Sequence, residues 1–181
     1  MRRQATSLGR RRGRGPLARR RRGWRPSGLA FARVQMRKVR GHYGLSQEQL
    51  GLFFDEARRR PGNTGLTLLI LCERRLDNAI YRAGLAASRA QARAAIARGH
   101  FQLDGQKAAD PYYLAQRADV LEVVAGQGLH RRQLAKMSSH PPSWIRLEPE
   151  GLELEIVRLP EARDISLVVD IDRVVELLMR A

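Results

Sequence analysis

Arg89 and Arg93 lie four residues apart in the run SRAQARAAIARGH, a spacing that places both guanidinium groups on one face of a helix. Arg98 and His100 follow at the end of that run, and Lys107 comes just after Asp104-Gly105. Arg74, Arg75 and Arg82 precede it. No acidic residue falls between Asp77 and Asp104. A compact set of cations with no interspersed carboxylates suits a phosphate backbone. A solvated basic helix face has the same spacing, and spacing alone leaves both open.

Other chemistry finds little support. His42, His100, His130 and His140 show no ligand spacing, and the single cysteine, Cys72, sits in the apolar run LLILCERRL as a small core residue. No HExxH, phosphate-loop, GxSxG or GxGxxG pattern occurs. Asp170 and Asp172 suit the start of a helix. No catalytic residue, metal site or cofactor is expected, and the chain is not expected to be an enzyme.

The elements that must position the cations can be read from Glu73 to Gly105. Leu76, Ile80 and Tyr81 suit a short amphipathic helix. A turn at Gly84 leads to Ser88, which with Gln91 matches a capping box. Alanines carry a second helix to Gly99, a C-terminal glycine stop. Phe101 and Leu103 then alternate with polar residues, and Asp104-Gly105 signals a two-residue hairpin. The segment therefore reads helix, turn, helix, hairpin.

Charge is distributed unevenly along the 181 residues. The net charge is +16, and 15 of the 34 Lys and Arg residues precede Glu48, the first acid. The remaining 19 basic residues face 18 acidic ones. Residues 1–29 form an Arg-rich tail with little to bury, expected to be disordered when free. Arg11, Arg12, Arg20, Arg21 and Arg22 could anchor RNA through planar phosphate contacts. Trp24 is either a base-stacking ring or incidental. An organelle transit peptide is the competing reading, but serine is sparse and the arginines are clustered. The longest apolar run is far shorter than a membrane span, so a soluble, reducing, intracellular setting is expected, with no membrane partner.

Downstream of the tail, Phe31, Val34, Met36 and Val39 suggest an apolar helix stripe ending at Gly41–Gly44. Ser46 with Gln49 offers a second capping box before a helix that buries Leu50, Phe53, Phe54 and Ala57. Residues 61–65 read as a turn, and Thr67–Arg75 as a strongly apolar helix. Val120–Val124 reads as a strand, and Arg131 and Arg132 belong to a polar helix or linker. Trp144, Ile145 and Leu147 are core candidates, Leu152–Val157 a strand, and a terminal helix follows Asp170 and Asp172. Residues 137–181 hold 5 basic and 9 acidic residues, which disfavours a phosphate-binding face there.

RLDNAIYRAG, SRAQAR and the RGH and DG positions resemble the S4 RNA-binding domain. VRGHYGLSQEQLGLFFDEA, GNTG, LLILCERRLDN, WIRLEP, RLPEARDIS and IDRVVELLMR are similar to segments of bacterial-type small-subunit ribosomal protein S4. The resemblance covers roughly residues 33–181. It implies an α+β fold: a mostly helical body from residues 30–72 plus 139–181, with the S4 module at 73–138 between them. By resemblance, the RNA ligands are Arg74, Arg75, Arg82, Ser88, Arg89, Gln91, Arg93, Arg98, Gly99, His100, Gly105, Lys107, Arg131 and Arg132. The implied partner is small-subunit rRNA, bound early to nucleate assembly in the cytoplasm or an organelle. Small-subunit proteins three and five are the implied neighbours, with mRNA where it enters the ribosome, and the interface with protein five bears on decoding accuracy. Some relatives carry a zinc-binding cysteine cluster; Met1–Ala32 holds no cysteine. A free RNA chaperone or ribosome-rescue factor using the same module is the alternative.

Overall fold

The computed structural model describes residues 28–124, 141–148 and 153–180. The tail arginines, Arg131 and Arg132 lie outside the described residues. Among those described there are six α-helices, one 3-10 turn and five strands. The helices are α1 (Gly28–Tyr43), α2 (Gln47–Arg59), α3 (Thr64–Arg74), α4 (Leu76–Arg82), α5 (Arg89–Ala97) and α6 (Ile171–Leu178). The strands are β1 (Phe101–Leu103), β2 (Gln106–Lys107), β3 (Val120–Val123), β4 (Ile145–Leu147) and β5 (Glu153–Ile156), paired antiparallel in the order β2-β1-β3-β5-β4.

Local chemistry fixes most boundaries. Ser46 Oγ accepts from the Gln49 amide at 3.1 Å, and Gln49 Oε1 accepts from the Ser46 amide at 2.9 Å, completing the expected capping box of α2. Asn63 Oδ1 accepts from the Leu66 amide at 2.8 Å. That cap starts α3 at Thr64, inside the expected turn. The β1–β2 hairpin turns through Asp104 (φ 48°) and Gly105 (φ 76°), the paired positive φ values that a two-residue turn needs to match strand twist.

Two hydrophobic cores result. The body core joins Val39, Tyr43, Leu50, Phe54, Leu68, Leu71 and Cys72 to Val174 of α6. The module core joins Ile80, Ile96, Phe101 and Leu121 to Trp144, Leu154 and Ile156.

Two expectations need revision. The helix α1 runs unbroken through Gly41 and buries Ala32, Gln35, Val39 and Tyr43, a stripe at helical period. Phe31 and Val34 fall off that stripe and are exposed. Residues 145–156, expected in the body, instead pair through β5 with β3: Leu121 faces Leu154 and Glu122 faces Glu153. The pairing is long-range, so no local signal could place it.

The cores meet where α3 ends. Arg75, at φ −59° and ψ 139°, breaks α3 from α4. Residues 111–115, a turn followed by an isolated bridge from Leu114 to Arg75, lie against this break. The amides of Leu76 and Asp77 donate to the carbonyls of Tyr113 and Pro111 at 2.9 and 3.0 Å, satisfying donors at the start of α4.

Candidate nucleic-acid interface

Two fully buried carboxylates sit at this junction. Glu73, in the last turn of α3, accepts from Tyr43 Oη at 2.8 Å and from Asn78 Nδ2 at 2.8 Å. Asp77, in the first turn of α4, accepts from Arg75 Nε at 3.0 Å and from Arg93 Nη1 at 2.8 Å. Buried charges persist when paired and hydrogen-bonded, and these carboxylates gather the arginines around them.

Arg75 is itself fully buried. Besides Asp77 it donates to the Tyr43 carbonyl at 3.1 Å, and its guanidinium lies near the rings of Tyr112 and Phe53, 5.0 and 5.8 Å from their centroids. It cannot touch a phosphate, and its expected role as an RNA ligand is corrected on that ground.

Arg89 donates from Nε to Asn78 Oδ1 at 2.8 Å and lies near Tyr81 and Tyr43, 4.5 and 5.2 Å from their centroids. Its Nη2 stands 3.2 Å from His42 Nε2. Burial, and then the charges of Arg89 and Arg82, depress His42 from 6.5 to about 4. The ring is therefore neutral at pH 7 and Nε2 accepts from Arg89.

Arg93 crosses the α1–α2 turn at Gly44 (φ 61°), where a Cβ would stand 3.2 Å from Arg93 Nη2. Arg82 donates to the Asp164 carbonyl at 2.9 Å, and Arg74 donates to the Ala115 carbonyl at 3.0 Å. These arginines thus tie α1, α3, α4, α5 and the segment before α6 together.

A second group points outward. Arg98 and Lys107 are exposed and carry no ion pair among the described residues. Gly99 has φ 77°, and a Cβ there would stand 3.0 Å from Lys107 Cε, so the lysine stem crosses the glycine. This brings Arg98, Gly99, His100 and Lys107 together where α5 runs into the hairpin, with Gly105 exposed at the turn. His100 Nδ1 is buried with no hydrogen-bond partner among the described residues.

Ser88 Oγ accepts from the Gln91 amide at 3.1 Å as a helix cap. Gln91 Oε1 accepts from the Ala87 amide at 2.7 Å rather than from Ser88, so the reciprocal half of the expected capping box is displaced by one residue.

Sequence reasoning missed the junction's uncharged members, His42, Tyr43, Gly44 and Asn78, which carry no local signal for a contact between segments. It also did not select Arg117, exposed beside Ala118 (φ 72°), or use the exposed Arg33, Arg37 and Lys38 of α1 as a site. Among the described residues, no group of three or more His, Cys, Asp or Glu side chains could hold a metal ion. Burial pushes the Cys72 thiol up to about 12, which leaves it unreactive at neutral pH. No described helix is long and apolar enough to cross a membrane.

Comparison with known proteins adds context. Residues 3–73 match the ribosomal protein S4/S9 N-terminal domain, and residues 74–121 match the S4 domain. The chain is 40% identical over 162 residues to small ribosomal subunit protein uS4 of Rhodopirellula baltica, covering 88% of this chain and 80% of that one. It is 36% identical to uS4A of Symbiobacterium thermophilum, over 86% of this chain and 77% of the relative. With uS4 of Roseiflexus castenholzii the identity is also 36%, over 92% and 82%.

Proposed function

The chain belongs to the uS4 family of small-subunit ribosomal proteins, and on that premise we propose that Arg98, Gly99, His100, Gly105 and Lys107 present the rRNA-binding face of its S4 domain. It is a structural constituent of the small ribosomal subunit and not an enzyme. It binds small-subunit rRNA directly, nucleates assembly of that region in the cytoplasm, and contributes to decoding accuracy. Small-subunit proteins three and five are its neighbours, and mRNA passes close by as it enters. Ser88 and the half-buried Arg89 and Arg93 border the rRNA face.

The observation that supports this reading is the pair of exposed cations without carboxylate partners, held by the close approach of Lys107 to Gly99. Phosphate contacts made this way carry affinity and salt dependence, while the shape of the surface selects a folded RNA.

The test is binding to a 5′-region small-subunit rRNA fragment and to an unrelated structured RNA across a salt series. The double variant Arg98→Ala/Lys107→Ala is expected to flatten the plot of log K against log salt by about 1.4–1.8, since each lost phosphate contact removes roughly 0.7–0.9. Equal binding of wild type to both RNAs overturns the reading in favour of a free RNA chaperone or ribosome-rescue factor.

A further inference from the structure

We propose that Asp77 and Glu73 are positioning residues for the RNA face: they lock the module onto the body through arginines that do not themselves bind phosphate. The inference rests on the RNA-binding role above. It reassigns Arg75 and Arg93 from ligands to internal ties.

The geometry runs across the junction in both directions. Asp77 belongs to α4, on the module side, and is fully buried. It holds Arg75, whose Nη1 reaches back 3.1 Å to the carbonyl of Tyr43 at the end of α1. It also holds Arg93 of α5 at 2.8 Å, and that guanidinium lies over Gly44 of the body. Glu73 completes the tie from the other side. It belongs to α3, receives the Tyr43 hydroxyl at 2.8 Å, and receives Asn78 of α4 at 2.8 Å. Asn78 in turn accepts from Arg89 of α5 at 2.8 Å.

Hence α5 is connected to the end of α1 by one route through each carboxylate, besides the direct contact of Arg89 with His42 at 3.2 Å. The hydrophobic cores are separate clusters, so these polar routes contribute to fixing the angle between them. The angle matters because Arg98 and Lys107 stand at the far end of α5, where a small rotation about the junction moves them relative to any RNA that also contacts the body. A guanidinium already bound to a buried carboxylate offers no counterion release to an incoming phosphate, whereas a free surface cation does. Ties and ligands therefore leave different signatures in a salt series.

The experiment uses the full chain and the 5′-region rRNA fragment. In Arg93→Gln and Asp77→Asn, affinity is expected to fall about tenfold at every salt concentration with the log–log slope unchanged, and Arg93→Lys should recover part of the loss. A slope reduced by about 0.9 in Arg93→Gln, with Asp77→Asn binding as wild type does, overturns the proposal and returns Arg93 to the phosphate ligands.

A readout without RNA separates this from failure of the binding reading. Spin labels at Leu52→Cys, an exposed position of α2, and Ala109→Cys beyond the hairpin report the distance between the two cores. The distribution is expected to broaden in Arg93→Gln, which keeps an N–H donor at that position without the charge, and in Asp77→Asn. An unchanged distribution in both overturns the positioning role whatever RNA does.

Discussion

A fully buried guanidinium such as that of Arg75 is accommodated because nearby groups replace water: Asp77 along one edge, a carbonyl at another, and aromatic rings close by. His42 shows the opposite solution, staying neutral among cations. Its depressed value of about 4 means that the unfolded chain takes up a proton below pH 6.5 while the folded chain does not. The His42 contribution to stability is therefore complete above pH 6.5 and is lost as the pH falls toward 4. Thermal melts between pH 7 and 4 should show a decline that flattens in His42→Gln; an identical decline in the variant would place the acid sensitivity elsewhere. At this scale the sequence was half legible. Residue types and the four-residue spacing of Arg89 and Arg93 correctly put both on one helix face. Which way that face points was hidden, because Asp77, the group that turns Arg93 inward, lies sixteen residues upstream in another helix.

Helices and turns in this chain end where a specific residue stops them, so glycine effects depend on position. Gly44 occupies the left-handed region at φ 61° beneath Arg93, while Gly41 sits inside α1 with open space where a Cβ would stand, no neighbouring atom coming within 4 Å. The substitution Gly44→Ala should destabilise the protein by about 1–2 kcal/mol, the cost of a left-handed Cβ. By contrast, Gly41→Ala should stabilise it by roughly 0.5–1 kcal/mol, the helix-interior penalty removed. Urea unfolding measures both, and effects of the same sign would contradict the account. Elements with local signals were the legible ones: the Ser46 box, the Asp104-Gly105 turn, and the alanine helix ending at Gly99. The α1 stripe was misplaced because Phe31 and Val34 are large and apolar, yet they lie off the line set by Ala32, Gln35, Val39 and Tyr43. The extension of the sheet by β5 and β4 depends on Leu154 meeting Leu121, a pairing across more than thirty residues that no periodicity reports.

For the whole molecule, charge is unevenly distributed along the chain and the core is divided in two. Residues 1–27 carry 11 arginines and no acid. Removing them should flatten the salt dependence of rRNA binding while leaving the preference for the 5′-region fragment over unrelated RNA. Loss of that preference would show that the tail, and not the folded part, selects the RNA. The division into body, module and body came from the family resemblance, not from charge or periodicity. The boundary inside residues 145–156 was not legible, since it is set by strand pairing. The order of the segments also has a consequence for synthesis. Ribosomes deliver the chain from its first residue, so every described residue of the module core has been made once Ile156 has emerged. The body core still lacks Val174 at that moment, and its early helices must wait with Leu68, Leu71 and Phe54 partly uncovered until α6 arrives. A released chain truncated after Pro160 would thus hold every described residue of the middle's core and lack the helix that completes the beginning's.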